Sequence, residues 1–429
     1  MNLDSTRSSP AKGYFVAAVL AGAYGLNFLD RQLLSILAEP VKADLGLTDT
    51  QLGLLSGFAF AIVYTLFGIP VAWMADRGNR VRIVVAACGL WSLFTSVCGL
   101  AQNFTHLALA RIGVGIGEAG GSPPSYSIIA DYFPPERRAG ALAIYSLGVP
   151  IGTTAGAALG GWIAAEHGWR WAFMAVGALG VVYSGFILLV VREPKRGGND
   201  KASVKSASFA DTAKLFIREP KLTLTAVAAS FSSLIGYAML SWTPALLMRV
   251  KGMTLGELAS YYSVASGVTA AIGTVLSGYL VDRLGQRDKR MYGFIPAIAF
   301  LVAAPFYAAG IYAQSWQMTL LFMTVPFALY ASYLPPALAI VQNTVAPSQR
   351  STASAILLFI LGIFALGGGP LLIGSISDAL LRQGHAFPLQ FAMYALFPIF
   401  FLASLGHAAV ARAMAGSENA EPGRAISAG

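Results

Sequence analysis

The stretch Gly278-Tyr-Leu-Val-Asp282-Arg283-Leu-Gly285-Gln-Arg287 decides the fold because the chain contains it twice. The weaker copy, Ala72-Trp-Met-Ala-Asp76-Arg77-Gly-Asn-Arg80, lies 206 residues earlier; Ala72 replaces the first glycine and Gly78-Asn79 displaces the second. Each copy follows a long apolar run. Other pairs recur at an offset of 212: Pro123-Pro124 with Pro335-Pro336, Pro135 with Pro347, and Arg138 with Arg350. The chain is therefore a parallel repeat of two halves, the arrangement of a transporter that binds its cargo between repeats.

Working outward, a helix that crosses a bilayer core needs about 20 mostly apolar residues. Twelve such runs lie at about 14–38, 51–74, 82–101, 105–130, 138–163, 171–191, 221–247, 258–281, 291–313, 315–341, 351–377 and 388–411. They are rich in Ala, Leu and Gly and do not alternate, which excludes a barrel. The fold class is an all-α membrane protein with twelve transmembrane helices in two pseudo-symmetric six-helix bundles. The expected bundles are 1–191 and 221–411, joined by a polar linker at 192–220, with a disordered tail at 412–429. The polar start and the length of the first apolar run predict no cleaved signal peptide.

Composition agrees. Of 429 residues, 56% are hydrophobic and only 11% charged, against roughly 25% charged in soluble domains. The net charge of +9 comes from 29 Lys and Arg against 20 Asp and Glu. If both termini face the cytoplasm, 22 of the 29 basic residues lie on that side, five lie opposite, and Arg31 and Arg111 lie inside spans. This positive-inside asymmetry predicts a multi-pass protein of the inner (plasma) membrane with cytoplasmic termini. It also accounts for the basic excess without a nucleic-acid partner.

The Asp of each repeated loop sits at a helix end, where it can pair with Arg and with the dipole of a neighbouring helix. Asp76, Arg77, Arg80, Asp282, Arg283 and Arg287 are accordingly expected to form gating locks on the cytoplasmic side. Span five carries Gly148, Gly152, Gly156 and Gly160 beside Pro150, and span eleven carries Gly362, Gly367 to Gly369, Pro370 and Gly374. Small residues four apart let helix backbones approach. Gly113-x-Gly115-x-Gly117 lies inside an apolar run and follows no strand, so it reads as a packing face and not a nucleotide loop.

Away from the ends of the runs, the only Asp, Glu, Lys or Arg residues are Asp30, Arg31, Arg111 and Glu118, and all belong to the first half. Each costs about 2.5–3.5 kcal/mol at a helix centre on insertion scales, so each needs a partner or a cavity. By depth, an Asp30–Arg111 pair across helices one and four is expected. Glu118 lies two turns from Arg111 on the same face, where a desolvated carboxyl can take up a proton. At the repeat offset Arg111 corresponds to Met323 and Glu118 to Tyr330. Proton coupling is therefore expected in the first half, with shape and apolar surface from the second. Arg111, Glu118, Tyr237, Trp242, Tyr330 and Tyr333 are candidate substrate contacts. His106, His167, His385 and His407 are read as interface residues. Cys88 and Cys98 are too far apart on one helix to bridge.

The repeated loop resembles the signature of the major facilitator superfamily. Gly148-Val-Pro150-Ile-Gly152 loosely resembles the antiporter signature of span five in that superfamily. Asn27-Phe-Leu-Asp30-Arg31, Asp76-Arg77-Gly-Asn79-Arg80 and Arg111-Ile-Gly-Val-Gly-Ile-Gly-Glu118-Ala, through Asp131 to Arg137-Arg138, together resemble its Spinster branch. The resemblance is close from about residue 24 to 195 and thinner beyond. It implies that Asp30, Arg111 and Glu118 form the polar, proton-coupling centre. It also implies a lipid-like, amphiphilic substrate of the sphingosine-1-phosphate or lysophospholipid type.

The sequence thus predicts a proton-coupled exporter working by alternating access in the lipid bilayer, as a monomer. Its partners are protons and an anionic amphiphile, with no cofactor, no metal and no enzymatic step. A small organic-anion or sugar-acid symporter and a multidrug/proton antiporter remain the alternatives. A membrane enzyme would need a nucleophile or ligand set that the runs lack, and a channel would need a ring of charges.

Overall fold

The computed structural model describes residues 10–195, 209–346 and 349–418. The middle of the expected linker, the end of the expected tail and Pro347 lie outside them, as do the side chains of Asp76 and Asp282. Among the described residues there is no strand. Among the same residues, eleven helices are long and apolar enough to cross a membrane. The fourth of the twelve expected spans, at 105–130, is not one helix. It breaks into Phe104–Glu118 and Ser122–Tyr132, because Gly120 and Gly121 lead into Pro123 and Pro124, which lack the N–H that would continue the ladder.

The chain forms two compact units. The first comprises Met1–Leu47, Leu54–Ser203 and Thr254–Val264; the second comprises Thr48–Gly53, Val204–Met253 and Ala265–Gly429. The division differs from a single cut in the linker by two short segments, at the starts of spans two and eight. Both segments begin with the same device. Gln51 N–H donates to Thr48 Oγ1 at 3.2 Å and Thr48 N–H donates to Gln51 Oε1 at 2.9 Å. Thr254 and Glu257 repeat that reciprocal cap at the 206-residue offset of the Asp-Arg loops. Such a box satisfies two orphan N–H groups at a helix start, so the repeat has kept both ends of this helix.

The first unit holds α1 (Pro10–Ile36), α2 (Ala59–Arg77), α3 (Arg80–Cys98), α4 (Phe104–Glu118), α5 (Ser122–Tyr132), α6 (Gly148–His167) and α7 (Trp169–Val190). The glycine ladder of α6 is a backbone contact. A methyl on Gly152 would overlap the carbonyl of Gly25, and one on Gly156 would lie 2.6 Å from the carbonyl of Leu29. In α4, Gly113 lies against Phe94 and Gly117 against Trp91, so this helix is drawn onto α3 with its two charges inside. Arg80 is also buried. It reaches Asp131 Oδ2 at 2.5 Å, Glu193 Oε1 at 2.6 Å and Ser127 Oγ at 2.8 Å, tying the start of α3 to α5 and to the end of the bundle. Arg77 instead lies exposed over the Trp73 ring, 4.2 Å from its centroid.

In the second unit, α8 (Pro220–Arg249), α9 (Gly368–Arg382) and α10 (Leu396–Glu418) carry the polar contacts. His407 is not an interface residue. It is 3% exposed, shares a 2.9 Å hydrogen bond with Ser232 Oγ and stacks on Phe300. Its position one turn from the end of a run concealed that α10 packs along α8 at this level. Arg283 donates to the hydroxyl of Tyr279 and Arg287 is exposed.

Candidate functional site

The four ionisable residues of the first half converge on two pairs. Arg111 Nη1 donates to Asp30 Oδ2 at 2.9 Å, and both side chains are only 2% exposed. Arg31 Nε donates to Glu118 Oε2 at 2.7 Å, Glu118 being 1% exposed as a residue. One helical position separates Asp30 from Arg31, so their side chains diverge by about 100° around α1. They therefore reach two points on α4 seven residues apart. The expected pair between helices one and four is present. Arg31 was not given a role by the sequence reading, and it proves to be the partner of Glu118.

An aromatic wall surrounds the cations. The Arg31 guanidinium lies 5.1 Å from the Phe28 ring, 4.7 Å from Phe60 and 5.1 Å from Tyr64. The Arg111 guanidinium lies 5.5 Å from the same Phe60 ring. Cation–π attraction grows when the pair is desolvated, so Phe60 holds both arginines in a water-poor setting. Thr95 on α3 donates to Asp30 Oδ1 at 2.7 Å and is also 2.9 Å from the Trp91 carbonyl.

The two carboxylates are unequally held. Asp30 accepts one hydrogen bond on each oxygen. Glu118 Oε1 is buried with no hydrogen-bond partner, as are Arg111 Nε and Asn27 Oδ1. A small cavity at Asn27 is also lined by Tyr24, Trp91, Ser122, Ser125 and Tyr145 among others. Glu118 is the last residue of α4, so its open oxygen sits at the break in span four. Discontinuous helices at such positions build transporter sites.

Among the second unit's candidates, Trp242 is core. It is 2% exposed and its indole N–H donates to the Pro370 carbonyl at 2.9 Å. Tyr333 is buried and within reach of Ser233. Tyr237 and Tyr330 are half-buried, with Tyr330 packed where Gly236 leaves room for its ring. Among the described residues no group of His, Cys, Asp and Glu could hold a metal ion. Cys88 and Cys98 are free and buried.

The sequence profile of the Major Facilitator Superfamily matches residues 20–368. The chain belongs to the major facilitator superfamily. Within that superfamily of transporters, it is 38% identical to an MFS-type efflux pump of Mycolicibacterium smegmatis, over 87% of this chain and 86% of the relative. It is 26% identical to human protein spinster homolog 1, over 88% of this chain and 75% of that protein. Its fold matches the crystal structure of a bacterial homologue of the human lysosomal transporter Spinster, solved inward-facing and unoccupied. The TM-score is 0.87 at 30% identity, covering 95% of this chain and 98% of the other. The chain is a Spinster-like multi-pass transporter of the superfamily, which is not a family of enzymes.

Proposed function

We propose that this transporter is proton-coupled and exports an anionic amphiphile by alternating access. The observation that carries the reading is the unequal pair of carboxylates: Asp30 is held on both oxygens, while Glu118 keeps one buried oxygen open. A proton arriving on that oxygen neutralises Glu118 and weakens its hold on Arg31, whose guanidinium then turns towards an anionic headgroup. Arg111 stays engaged with Asp30 until a competing anion displaces it. Within the second unit, the half-buried Tyr237 and Tyr330 offer apolar surface. The likeness to a mycobacterial efflux pump supports export, and the resemblance of the sequence to the Spinster branch implies a lipid-like substrate of the sphingosine-1-phosphate or lysophospholipid type.

The protein would sit in the plasma membrane as a monomer with both termini cytoplasmic, as the 22-to-five distribution of basic residues favours. Asp76, Arg77, Asp282, Arg283 and Arg287 would act at the cytoplasmic ends of spans two and eight.

Proteoliposomes loaded with labelled lysophospholipid, or with a labelled small organic anion, test this under an imposed pH gradient. The expected result is gradient-driven movement of the lysophospholipid that Glu118→Gln abolishes. Equal transport with and without the gradient, or by Glu118→Gln, overturns proton coupling. Movement of the small anion alone overturns the substrate class.

A further inference from the structure

Among the described residues, the neutral side chain that hydrogen-bonds a carboxylate of this centre is Thr95. We propose that Thr95 is its positioning residue: the hydroxyl fixes the Asp30 carboxylate against Arg111 with both oxygens occupied, which leaves the open oxygen of Glu118 for the travelling proton. The inference rests on the proton-coupled reading and names the group that divides the work between two carboxylates.

The geometry gives Thr95 little other freedom. It is 1% exposed on α3 and lies in a small pocket with Asp30, Leu26, Trp91 and Ser92. Its one hydroxyl proton has two acceptors in range, Asp30 Oδ1 at 2.7 Å and the Trp91 carbonyl at 2.9 Å. A hydroxyl donates once, and a bond to a charged acceptor is about twice as strong as one to a neutral one. The proton therefore points to Asp30 while Asp30 is ionised. With Arg111 on the other oxygen, the carboxylate is fully met where water is excluded. The Trp91 carbonyl, one helical turn earlier on the same helix, is left as the alternative acceptor.

The surroundings leave this division to Thr95. The ionisable groups around Asp30 are Arg31 on its own helix, Arg111 and Glu118 on α4, Cys98 on α3, and Tyr64 on α2 beside Arg31. From α7 the pocket receives only Val176, Gly177 and Gly180. Each carboxylate has one arginine, so charge alone does not choose between them. The hydroxyl is the difference: Asp30 has it, and the matching oxygen of Glu118 has nothing.

Infrared titration of the full-length protein in detergent reads the choice directly, through the C=O band of a protonated buried carboxyl. Wild type should show one such component, and Glu118→Gln should lose it. Thr95→Val, which keeps the shape and removes the hydroxyl, should gain a second component, up to the size of the first, that a further Asp30→Asn removes. Thr95→Ser should restore the wild-type trace. If Thr95→Val does not fold, Thr95→Ala makes the same reading. A Thr95→Val trace that superimposes on wild type overturns the role of Thr95 while leaving proton coupling intact. A wild-type band that survives Glu118→Gln overturns the proton-coupled reading itself, whatever Thr95 does.

Discussion

Arg31 and Asp30 are neighbours in sequence, yet they serve opposite partners: Asp30 meets Arg111, and Arg31 meets Glu118. A single turn of α1 thus presents a negative and a positive group to two levels of α4. The two ion pairs run in opposite senses, and the site is neutral overall while each pair remains intact. On the proposed reading, neutralising one carboxylate loosens the guanidinium it holds, and through that change protonation would be felt by an anionic substrate.

Removing Arg31 tests this relationship. In Arg31→Ala, Glu118 loses the cation that donates to its Oε2. The fold should survive, since Arg31 is at the edge of the site with 18% of its side chain exposed. Transport should fall at least about tenfold, the equivalent of one hydrogen bond to a charged group. Initial rates in proteoliposomes, compared at equal protein content, give the outcome. Wild-type rates would remove Arg31 from the mechanism.

The Asp30–Arg111 pair should matter to the fold as well. Breaking a buried pair by removing one partner costs about 3–5 kcal/mol, while replacing both with apolar groups of similar volume is often neutral. Arg111→Met should therefore lower the melting temperature more than Asp30→Leu and Arg111→Met combined. The double variant should be stable and inactive. Thermal melts monitored by tryptophan fluorescence decide it, and a double variant less stable than both singles would contradict the reading.

Much of this was legible in the chain. The repeat, the number of apolar runs and the charges inside them follow from spacing and composition, which the bilayer constrains strongly. The role of Arg31 was not legible because adjacent residues on a helix diverge, and sequence does not say which direction a neighbour occupies. Thr95 carries no signal at all in an apolar run, since a threonine there most often bonds its own helix. The capping boxes at Thr48 and Thr254 carry the pattern Ser/Thr-x-x-Glu/Gln at the repeat offset and are as legible as the charged loops. The burial of His407 and Trp242 is not legible, because burial within a span depends on the neighbouring helix.

The two arginines of the first repeated loop should separate sharply. Arg80 is enclosed, with Asp131 and Glu193 on its guanidinium. Arg80→Ala leaves two carboxylates facing each other and should destabilise by about 3–5 kcal/mol. Arg77 lies exposed on Trp73, where a cation–π contact contributes about 0.5–1 kcal/mol. Arg77→Ala should leave the melting temperature near wild type. Equal losses in the two variants would place both residues in one network, against the geometry.

The start of span two offers the last test. Asp378 accepts from the N–H of Asp49 at 3.0 Å and of Thr50 at 2.8 Å. Asp49 in turn accepts from Arg249 Nη1 at 2.8 Å, Arg249 Nη2 at 2.9 Å and Ser377 Oγ at 2.6 Å. The first two bonds satisfy orphan N–H groups at the start of the short helix Asp49–Gly53. The remaining three anchor its side chain to α8 and α9. Asp378→Ala removes the acceptors of both backbone donors, so their amides should open more readily than the rest of the second unit. Hydrogen–deuterium exchange of peptides covering residues 48–53 should quicken by at least about tenfold, as expected for losing a bond to a charged acceptor. Peptides from the middle of α8 should keep their wild-type rates. Unchanged exchange at 48–53 would show that the reciprocal cap of Thr48 and Gln51 is sufficient to hold this helix, and that Asp378 is not its anchor.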